Sequence, residues 1–396
     1  MRPRVVADGV LWVGSIDWER ELFDELIPLP DGTSYNAYLV SGSEKTALID
    51  TVDPTKTGEL RSMLDSRGLR KLDYLVAHHA EQDHAGSIPY VLERYPEAKL
   101  VCTAKAKGLM MDLLGVAEDR IAVVADGETL SLGDLTLEFI HAPWVHWPET
   151  MLTYLRERRM LFPCDLFGSH LATSELFLHD PSRVYRGAKR YYAEIMMPFR
   201  SNIVKHLERL APYDIDIIAP SHGPLYDSPR FIMDAYREWA SGPLANKVVI
   251  PYVSMHGSTQ VLVDRLISAL ADLEIVAVPH RLSTGDTGRL AMELVDAPTV
   301  VLGTPTVLAG AHPLVAYAAV LANALRPRLQ FASIIGSYGW GGKAVEQLLS
   351  LVPNLKVEVL DPVIVKGYPR EQDLAAIDGL AARIAEKHRS AGLKAA

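Results

Sequence analysis

A dense group of potential metal ligands follows an apolar run near residue 77. After Leu72–Ala77 the chain reads His-His-Ala-Glu-Gln-Asp-His-Ala-Gly, in which His79, Glu81, Asp83 and His84 can each ligate a metal ion. So many titratable groups side by side lose hydration and repel one another unless a cation balances them. The pattern therefore favours a metal site over a solvated acidic loop.

Three further candidate ligands lie in similar settings, each after a predicted strand. His146 stands in Trp-Val-His-Trp-Pro, Asp165 in Cys-Asp-Leu-Phe-Gly and His222 in Pro-Ser-His-Gly. Four imidazoles and three carboxylates can hold two divalent ions that share one carboxylate. The only two cysteines, Cys102 and Cys164, are too few for a disulfide framework or a cysteine-ligated iron centre.

The order and spacing of these residues resemble the metallo-β-lactamase fold. Hydrolases of that fold carry His-x-His-x-Asp-His and then His, Asp and His, whereas this chain has Glu81 in the second histidine position. A carboxylate in place of an imidazole makes the site harder and favours iron or manganese over zinc. In this substitution, and over almost its whole length, the chain resembles the flavodiiron proteins.

This resemblance implies a role for each ligand. His79, Glu81 and His146 would bind one iron, Asp83, His84 and His222 would bind the other, and Asp165 would bridge them. His170 follows the bridging position closely, so it is a candidate for a role in the pocket. The other nearby residues are expected to be structural: His78, His141 and Cys164.

A second set of chemistry-bearing residues lies in three loops of the C-terminal half. Each loop follows a predicted strand, which is where a ligand of a parallel sheet binds. Small hydroxyl residues and glycines before a helix suit a phosphate, and aromatic side chains suit a planar ring. The candidate flavin-binding residues are Ser254, Met255, His256, Gly257, Ser258, Thr259, Thr304, Pro305, Thr306, Ser337, Tyr338, Gly339, Trp340, Gly341 and Gly342.

These loops resemble the FMN site of flavodoxin. Neither a nucleoside triphosphatase motif nor a Gly-x-Gly-x-x-Gly dinucleotide motif is present. The loop Val307–His312 is less polar than the Asn-containing stretch of many flavodiiron proteins, so its flavin contacts are left open. The resemblance implies FMN and two iron ions as cofactors.

The pattern of predicted strands and helices that must position these residues changes along the chain. Short strands with interspersed helices, including a strand over 35–40 and helical periodicity over 184–210, predict a metallo-β-lactamase-like αββα sandwich for residues 1–243. Strictly alternating strands and helices predict a flavodoxin-like, doubly wound parallel sheet of five strands for residues 247–396, the last strand at 355–360. The fold class is α/β.

Composition excludes several other functions. Forty basic and 49 acidic residues give a net charge of −9 and a pI near 5.8, without a basic stripe for nucleic acid. No apolar run is long enough for a transmembrane helix, and no signal core follows the basic N-terminus. A reducing cytoplasm is the expected location.

The resemblance implies an oxidoreductase that reduces O2 to water, NO to N2O, or both. No rubredoxin-like or flavin reductase module is seen, so we expect a separate electron donor, such as rubredoxin or reduced F420. A head-to-tail homodimer, or a dimer of dimers, is also expected. Two alternatives remain open: a dinuclear metallohydrolase, and a flavin electron carrier or redox sensor with a structural metal site.

Overall fold

The computed structural model describes residues 2–393, and their contacts divide the chain into two compact units. The first extends to Ala240 except for Ala193–Pro198, and the second contains that short stretch and continues from Ser241. The domain bounds expected from the sequence, 1–243 and 247–396, stay a prediction. Within residues 2–393, no helix combines the length and the apolar character that crossing a membrane requires.

The first unit contains two large β-sheets. Its strands are β1 (Arg4–Ala7), β2 (Val10–Trp12), β3 (Ser15–Asp17), β4 (Leu22–Phe23), β5 (Ile27–Pro28), β6 (Thr33–Tyr35), β7 (Tyr38–Ser41), β8 (Thr46–Ile49), β9 (Tyr74–Val76), β10 (Lys99–Thr103), β11 (Ile121–Val124), β12 (Thr129–Ser131), β13 (Thr136–His141), β14 (Met151–Leu155), β15 (Met160–Phe162) and β16 (Ile217–Ile218). One sheet has the order β1-β2-β7-β8-β9-β10-β11 and the other β12-β13-β14-β15-β16. Two separate antiparallel pairs are formed by β3 with β6 and by β4 with β5.

The described residues of this unit also contain seven α-helices. They are α1 (Thr57–Arg67), α2 (Gln82–Ala85), α3 (Ile88–Arg94), α4 (Ala104–Leu114), α5 (Pro181–Tyr191), α6 (Arg200–Leu210) and α7 (Pro229–Ser241). One apolar cluster joins Leu48 and Leu75 of the first sheet, Phe139 of the second, and Leu64 and Val91 of the helices. Burial of this cluster is what holds the two sheets face to face.

The predicted strand over 35–40 is two strands. β6 ends at Tyr35 and β7 begins at Tyr38, because the backbone N–H of Asn36 donates to the carbonyl of Ser221 at 2.7 Å and not to a neighbouring strand. The buried side chain of Asn36 makes three further hydrogen bonds. Its Oδ1 accepts a hydrogen bond from Trp12 Nε1 at 2.9 Å, and its Nδ2 donates to the carbonyls of Pro220 and Gly223, each at 2.8 Å. These hydrogen bonds connect Asn36 to the loop that contains His222.

The predicted helical stretch 184–210 is helical throughout, but its geometry changes in the middle. α5 ends at Tyr191 and α6 begins at Arg200, and a π-helical turn at Tyr192–Met196 and a 3₁₀ turn at Met197–Phe199 connect them. Pro198 has no N–H to donate and clashes with the preceding helical turn, so one regular α-helix cannot continue through it.

The second unit is a parallel sheet covered on both faces. Its strands are β17 (Lys247–Tyr252), β18 (Val276–Arg281), β19 (Thr299–Val307), β20 (Gly310–Ala311), β21 (Phe331–Tyr338), β22 (Glu358–Val359) and β23 (Val363–Lys366), and its helices are α8 (Ser258–Asp272), α9 (Thr287–Leu294), α10 (Pro313–Leu325), α11 (Ala344–Ser350) and α12 (Glu371–Ser390). The order β18-β17-β19-β21, with β22 and β23 both pairing with β21, is the flavodoxin order 2-1-3-4-5.

Alternate residues of the sheet pack on opposite helices. Val248 and Ile250 share a core with α8 and α12, whereas Val249 shares a core with α9, α10 and α11. The fifth strand was expected at 355–360, where the structure has only the short β22. The strand position continues after Asp361-Pro362 as β23, since proline cannot donate a ladder hydrogen bond.

Candidate dinuclear metal site and flavin pocket

Four loops bring all seven predicted metal ligands to one edge of the first unit. Each loop follows a strand: β9 precedes His79–His84, β13 precedes His146, β15 precedes Asp165, and β16 precedes His222. The ligand atoms form two groups, one of His79, Glu81, His146 and Asp165, the other of Asp83, His84 and His222, with atoms within 4.8 Å of one another in each group.

In the first group the donor atoms surround a common point. Glu81 Oε2 lies 3.3 Å from His79 Nε2 and 2.9 Å from His146 Nε2. Asp165 Oδ2 lies 3.3 Å from His79 Nε2 and 3.1 Å from His146 Nε2. Four donors at about 2.1 Å from one ion in tetrahedral arrangement are about 3.4 Å apart, so this group fits a divalent metal ion.

The second group has similar spacing. His84 Nε2 lies 3.1 Å from Asp83 Oδ2 and 3.0 Å from His222 Nε2, and Asp83 Oδ2 lies 3.2 Å from His222 Nε2. The other oxygen of Asp165, Oδ1, lies 3.0 Å from His84 Nε2 and 3.7 Å from His222 Nε2. The two oxygens of one carboxylate thus face different groups, which is the geometry of a shared ligand.

Contacts behind the imidazoles set which ring nitrogen is available. His222 Nδ1 donates to the carbonyl of Ser34 at 2.7 Å, so the lone pair of Nε2 faces the other ligands. His79 Nδ1 lies 3.2 Å from the sulfur of Cys164. Hydrogen bonds of this kind fix the tautomer and orientation of a metal-binding histidine. Among the described residues, Nδ1 of His84 has no hydrogen-bond partner.

The cluster strongly perturbs the pKa values of its own members. Burial disfavours charge, yet Asp83 and Asp165 raise the pKa of His84 well above its ordinary value, and Cys164 and Asp165 do the same for His79. Against the same burial, hydrogen bonds to Asp165 and Glu81 raise the pKa of His146 to about 9.

The carboxyl groups shift in the opposite direction. Burial alone would raise their pKa values, but the facing imidazoles outweigh it and lower the pKa of Glu81, Asp83 and Asp165. Without a metal ion, protons on the imidazoles therefore balance the carboxylates. A divalent cation can take the place of those protons.

The other histidines near the site do not point into it. His78 is buried with both ring nitrogens engaged, Nδ1 with Asp50 at 2.6 Å and Nε2 with Thr153 at 2.8 Å. His141 lies apart, with Nε2 3.2 Å from the carbonyl of Val124.

His170 lies against the second group. Its ring centroid is 4.6 Å from that of His222 and 4.9 Å from that of Tyr191, and its Nδ1 is 2.9 Å from Thr33 Oγ1. Burial, followed by the neighbouring His222, lowers the pKa of His170 well below its ordinary value. It is a neutral neighbour of a ligand and not a member of either ligand group.

Two contacts to the first group were not anticipated from the sequence. Trp147 Nε1 donates to Glu81 Oε2 at 3.0 Å, and Cys164, expected to be an inert buried residue, lies beside His79. The partners are 66 and 85 residues apart in the chain, so no local pattern could have paired them.

In the second unit, three predicted loops surround a cavity of about 210 Å³ at the carboxyl ends of the parallel strands. The cavity is lined by nine of the predicted flavin-binding residues and by one that was not predicted, Gly367, which follows β23 at the same edge. The ten lining residues are Met255, His256, Ser258, Thr259, Pro305, Thr306, Ser337, Tyr338, Gly339 and Gly367.

The other six predicted residues are near the cavity but do not line it: Ser254, Gly257, Thr304, Trp340, Gly341 and Gly342. Ser254 Oγ accepts a hydrogen bond from the N–H of Gln260, and Thr304 Oγ1 accepts one from the N–H of His312, so both support the loops. Trp340 is 71% exposed. The less polar loop forms a β19–β20 hairpin, whose turn carries a 90% exposed Leu308.

Comparisons with known proteins agree with this architecture. A family model described as "ODP family beta lactamase" matches residues 33–223, which contain all seven candidate ligands. A nitric oxide reductase of Moorella thermoacetica is 35% identical, over 98% of this chain and 99% of the relative.

Solved structures extend the likeness over both units. The rubredoxin oxygen:oxidoreductase of Desulfovibrio gigas has a TM-score of 0.93 and 32% identity, covering 98% of this chain and 99% of that one. The flavodiiron protein of Giardia intestinalis has a TM-score of 0.90 and 27% identity, covering 98% and 97%.

These findings confirm the fold class expected from the sequence, a metallo-β-lactamase-like sandwich followed by a flavodoxin-like sheet. The likeness extends over nearly the full length of each relative and is not confined to either half. With the ligand groups in one unit and the cavity in the other, the chain belongs to the flavodiiron family of oxidoreductases, the type A flavoproteins.

Proposed function

We propose that this enzyme reduces O2 to water, NO to N2O, or both, at a diiron centre that receives electrons through FMN. The observation that carries this proposal is the position of Asp165, whose two oxygens each face a separate group of donor atoms. A shared carboxylate places two ions side by side, which suits a diatomic substrate that must accept several electrons.

The donor chemistry supports iron at both positions. His79, Glu81 and His146 would hold one ion, Asp83, His84 and His222 the other, and Asp165 both. Nitrogen and carboxylate oxygen donors without a thiolate in either group suit iron or manganese better than soft metals. This assignment is the one that the sequence resemblance implies.

The residues of the chain would prepare the site before any substrate arrives. When bound, the two irons supply redox-active cations that exchange single electrons and bind the oxidant, and FMN supplies a two-electron store. His222 keeps its Nε2 lone pair toward the ions because its Nδ1–H is held by Ser34. Five of the seven ligands are buried, and the side chains of Glu81 and His146 are only 12% and 14% exposed, so their charges act at short range in a medium of low polarity.

The second unit offers a matching site for FMN. The α8 N-terminus at Ser258 follows Gly257, whose φ of +90° lets the chain turn into the helix, and the free N–H groups of a first helical turn suit a phosphate. Tyr338 lines the same cavity and offers a face for the isoalloxazine ring. The loops of residues 254–259, 304–306 and 337–342 would together bind the cofactor.

Electrons would come from a separate donor protein or cofactor. Rubredoxin is the donor that the name of the Desulfovibrio gigas relative indicates, and reduced F420 is the alternative. A head-to-tail homodimer or a dimer of dimers would let the flavin of one subunit serve the diiron site of another, and sedimentation of an active species as a monomer would refute this arrangement. A cytoplasmic location also remains a prediction.

The decisive experiment is stopped-flow reoxidation of the fully reduced protein by O2 and, separately, by NO. We expect the diiron protein to reoxidise its flavin much faster than a metal-free sample does with at least one of the two. The faster oxidant identifies the physiological reaction.

A metal-free control is essential because free reduced flavin reacts with O2 unaided. If metal loading changes neither rate, the redox role of the seven ligands is refuted. Hydrolysis of an ester or phosphodiester by the metal-loaded protein would then support the dinuclear hydrolase.

A further inference from the structure

The segment directly after His146 contacts the segment of His79 and Glu81 at two points. The indole N–H of Trp147 donates to Glu81 Oε2 at 3.0 Å. Two residues further on, Glu149 Oε1 accepts a hydrogen bond from the backbone N–H of Ala80 at 3.1 Å. Ala80 lies between the two ligands of the other segment, so one contact holds the Glu81 side chain and the other holds its backbone.

The oxygen that receives the indole hydrogen bond is also the one that faces the ion position. Glu81 Oε2 lies between His146 Nε2 and His79 Nε2, at 2.9 and 3.3 Å. A carboxylate oxygen has two lone pairs, so it can accept the indole hydrogen with one and ligate a cation with the other. Trp147 therefore does not compete with metal binding; it fixes the direction from which Glu81 can bind.

A carboxylate needs such a constraint more than an imidazole does. An imidazole presents one nitrogen to the metal and is held through the other, whereas a carboxylate has two equivalent oxygens and can bind through one or both. An indole N–H that donates to one oxygen makes the two oxygens of the carboxylate inequivalent.

The buried state of Glu149 supports the same interpretation. This carboxyl group is 2% exposed, and among the described residues its Oε2 has no hydrogen-bond partner. A carboxylate buried with so few partners is costly. The contact that this carboxyl group makes is the hydrogen bond from Ala80. The backbone of Glu149 is held separately, because its carbonyl accepts a hydrogen bond from Thr103 Oγ1 at 3.1 Å.

We propose that Trp147 and Glu149 are positioning residues that hold Glu81 as a one-oxygen ligand in the first metal position. This inference rests on the proposed diiron function, but it concerns metal binding alone. It predicts that loss of the indole N–H weakens one ion of the pair and leaves the other in place.

Trp147→Phe tests the indole hydrogen bond directly. Phenylalanine keeps an aromatic ring beside His79, whose centroid is 5.8 Å from that of Trp147, and removes only the N–H donor and part of the ring. We expect roughly 10- to 100-fold weaker binding of one ion, as for other residues that orient metal ligands, with the second ion unaffected. Chelator competition with Co²⁺ measures both affinities, and the visible spectrum of bound Co²⁺ reports the coordination of each ion.

Trp144→Phe is the matched control. Trp144 lies in the same loop, is 45% exposed, and stacks on Phe199 without contacting a ligand. Its variant should bind both ions as the parent does. If Trp147→Phe keeps both affinities and the parent Co²⁺ spectrum, or if Trp144→Phe shows the same loss, the proposal is refuted.

Two substitutions at Glu149 test the second contact, which is the hydrogen bond from the backbone N–H of Ala80. Glu149→Gln retains an oxygen acceptor for the Ala80 N–H and should bind both ions normally, whereas Glu149→Met should resemble Trp147→Phe. If the methionine variant does not fold, Trp147→Phe still decides the question. Because these measurements do not involve O2 or NO, a loss of turnover alone would count against the proposed function and not against this inference.

Discussion

Metal loading should release about three protons per chain at neutral pH. In the metal-free state, burial lowers the pKa of His79, His84 and His146, but the neighbouring groups raise it by more. The pKa of each is therefore raised, to about 9 for His146. A raised pKa means that the metal-free protein keeps the proton, whereas a metal ligand must be a neutral imidazole. Each of these protons has to leave when the ions bind.

The size of the effect follows from that count. With three protons released, the product of the two binding constants should rise about 10³-fold per pH unit, or about 4 kcal/mol, up to roughly pH 9. Binding should weaken by the same factor as the pH falls. The lowered pKa values of the carboxyl groups mean that these contribute no further protons near pH 7.

Calorimetric titration of the metal-free protein measures this number. Mn²⁺, which does not oxidise in air under these conditions, can be titrated in two buffers of different ionisation enthalpy, and the difference in heat gives the protons released. His146→Asn should reduce the count by about one, and the exposed His179→Asn, outside the site, should leave it unchanged. Release of one proton or fewer by the parent protein would refute the reasoning.

Three further predictions concern both units. Asp165→Asn keeps one ligating oxygen and loses the other, so elemental analysis should find about one metal ion per chain instead of two, and equal occupancy with the parent would contradict a shared carboxylate. Gly336→Ala would place its Cβ 2.1 Å from the carbonyl of Thr304, so the second unit should lose about 1–3 kcal/mol of stability and retain less FMN. Gly379→Ala in α12, away from the cavity and with open space around its Cβ, should show neither loss in thermal unfolding and flavin content. Burial lowers the pKa of His388 to about 4, so the unfolded state binds more protons between about pH 6.5 and 4 and stability should fall by up to about 3 kcal/mol as the pH falls. Denaturant unfolding of His388→Gln should show a weaker pH dependence over that range; an unchanged dependence would exclude His388 as its source.

Residue type and strand position are sufficient to select the candidate ligands from the sequence, because each ligand loop follows an apolar run, and the structure brings the seven residues together in two groups. Their assignment to two irons that share Asp165 came from the resemblance to flavodiiron proteins and stays a prediction. Contacts between side chains distant in the chain could not be predicted. The indole of Trp147 on Glu81 and the three hydrogen bonds of Asn36 depend on how the two sheets face each other.

Some errors in the elements were avoidable and others were not. Pro198 and Pro362 are visible in the sequence: Pro198 accounts for the change of helix geometry within 184–210, and Pro362 separates β22 from β23, which continues the fifth strand beyond its expected end at 360. The break at Asn36 has no such signal. A run of residues 35–40 with high strand propensity gives no indication that one buried amide will bond outside the ladder.

The long separations within the ligand set also bear on how the enzyme acquires its metals in the cell. His84 and His222, whose Nε2 atoms are 3.0 Å apart, are 138 residues apart in the chain. Contacts of such long range form slowly because a long loop must close before they contribute any stability. During synthesis, the second ligand group has no His222 until most of the first unit has left the ribosome. We therefore expect the two metal ions to bind late in folding. A nascent chain that contains only His79 to His84 offers an incomplete site to a metal ion.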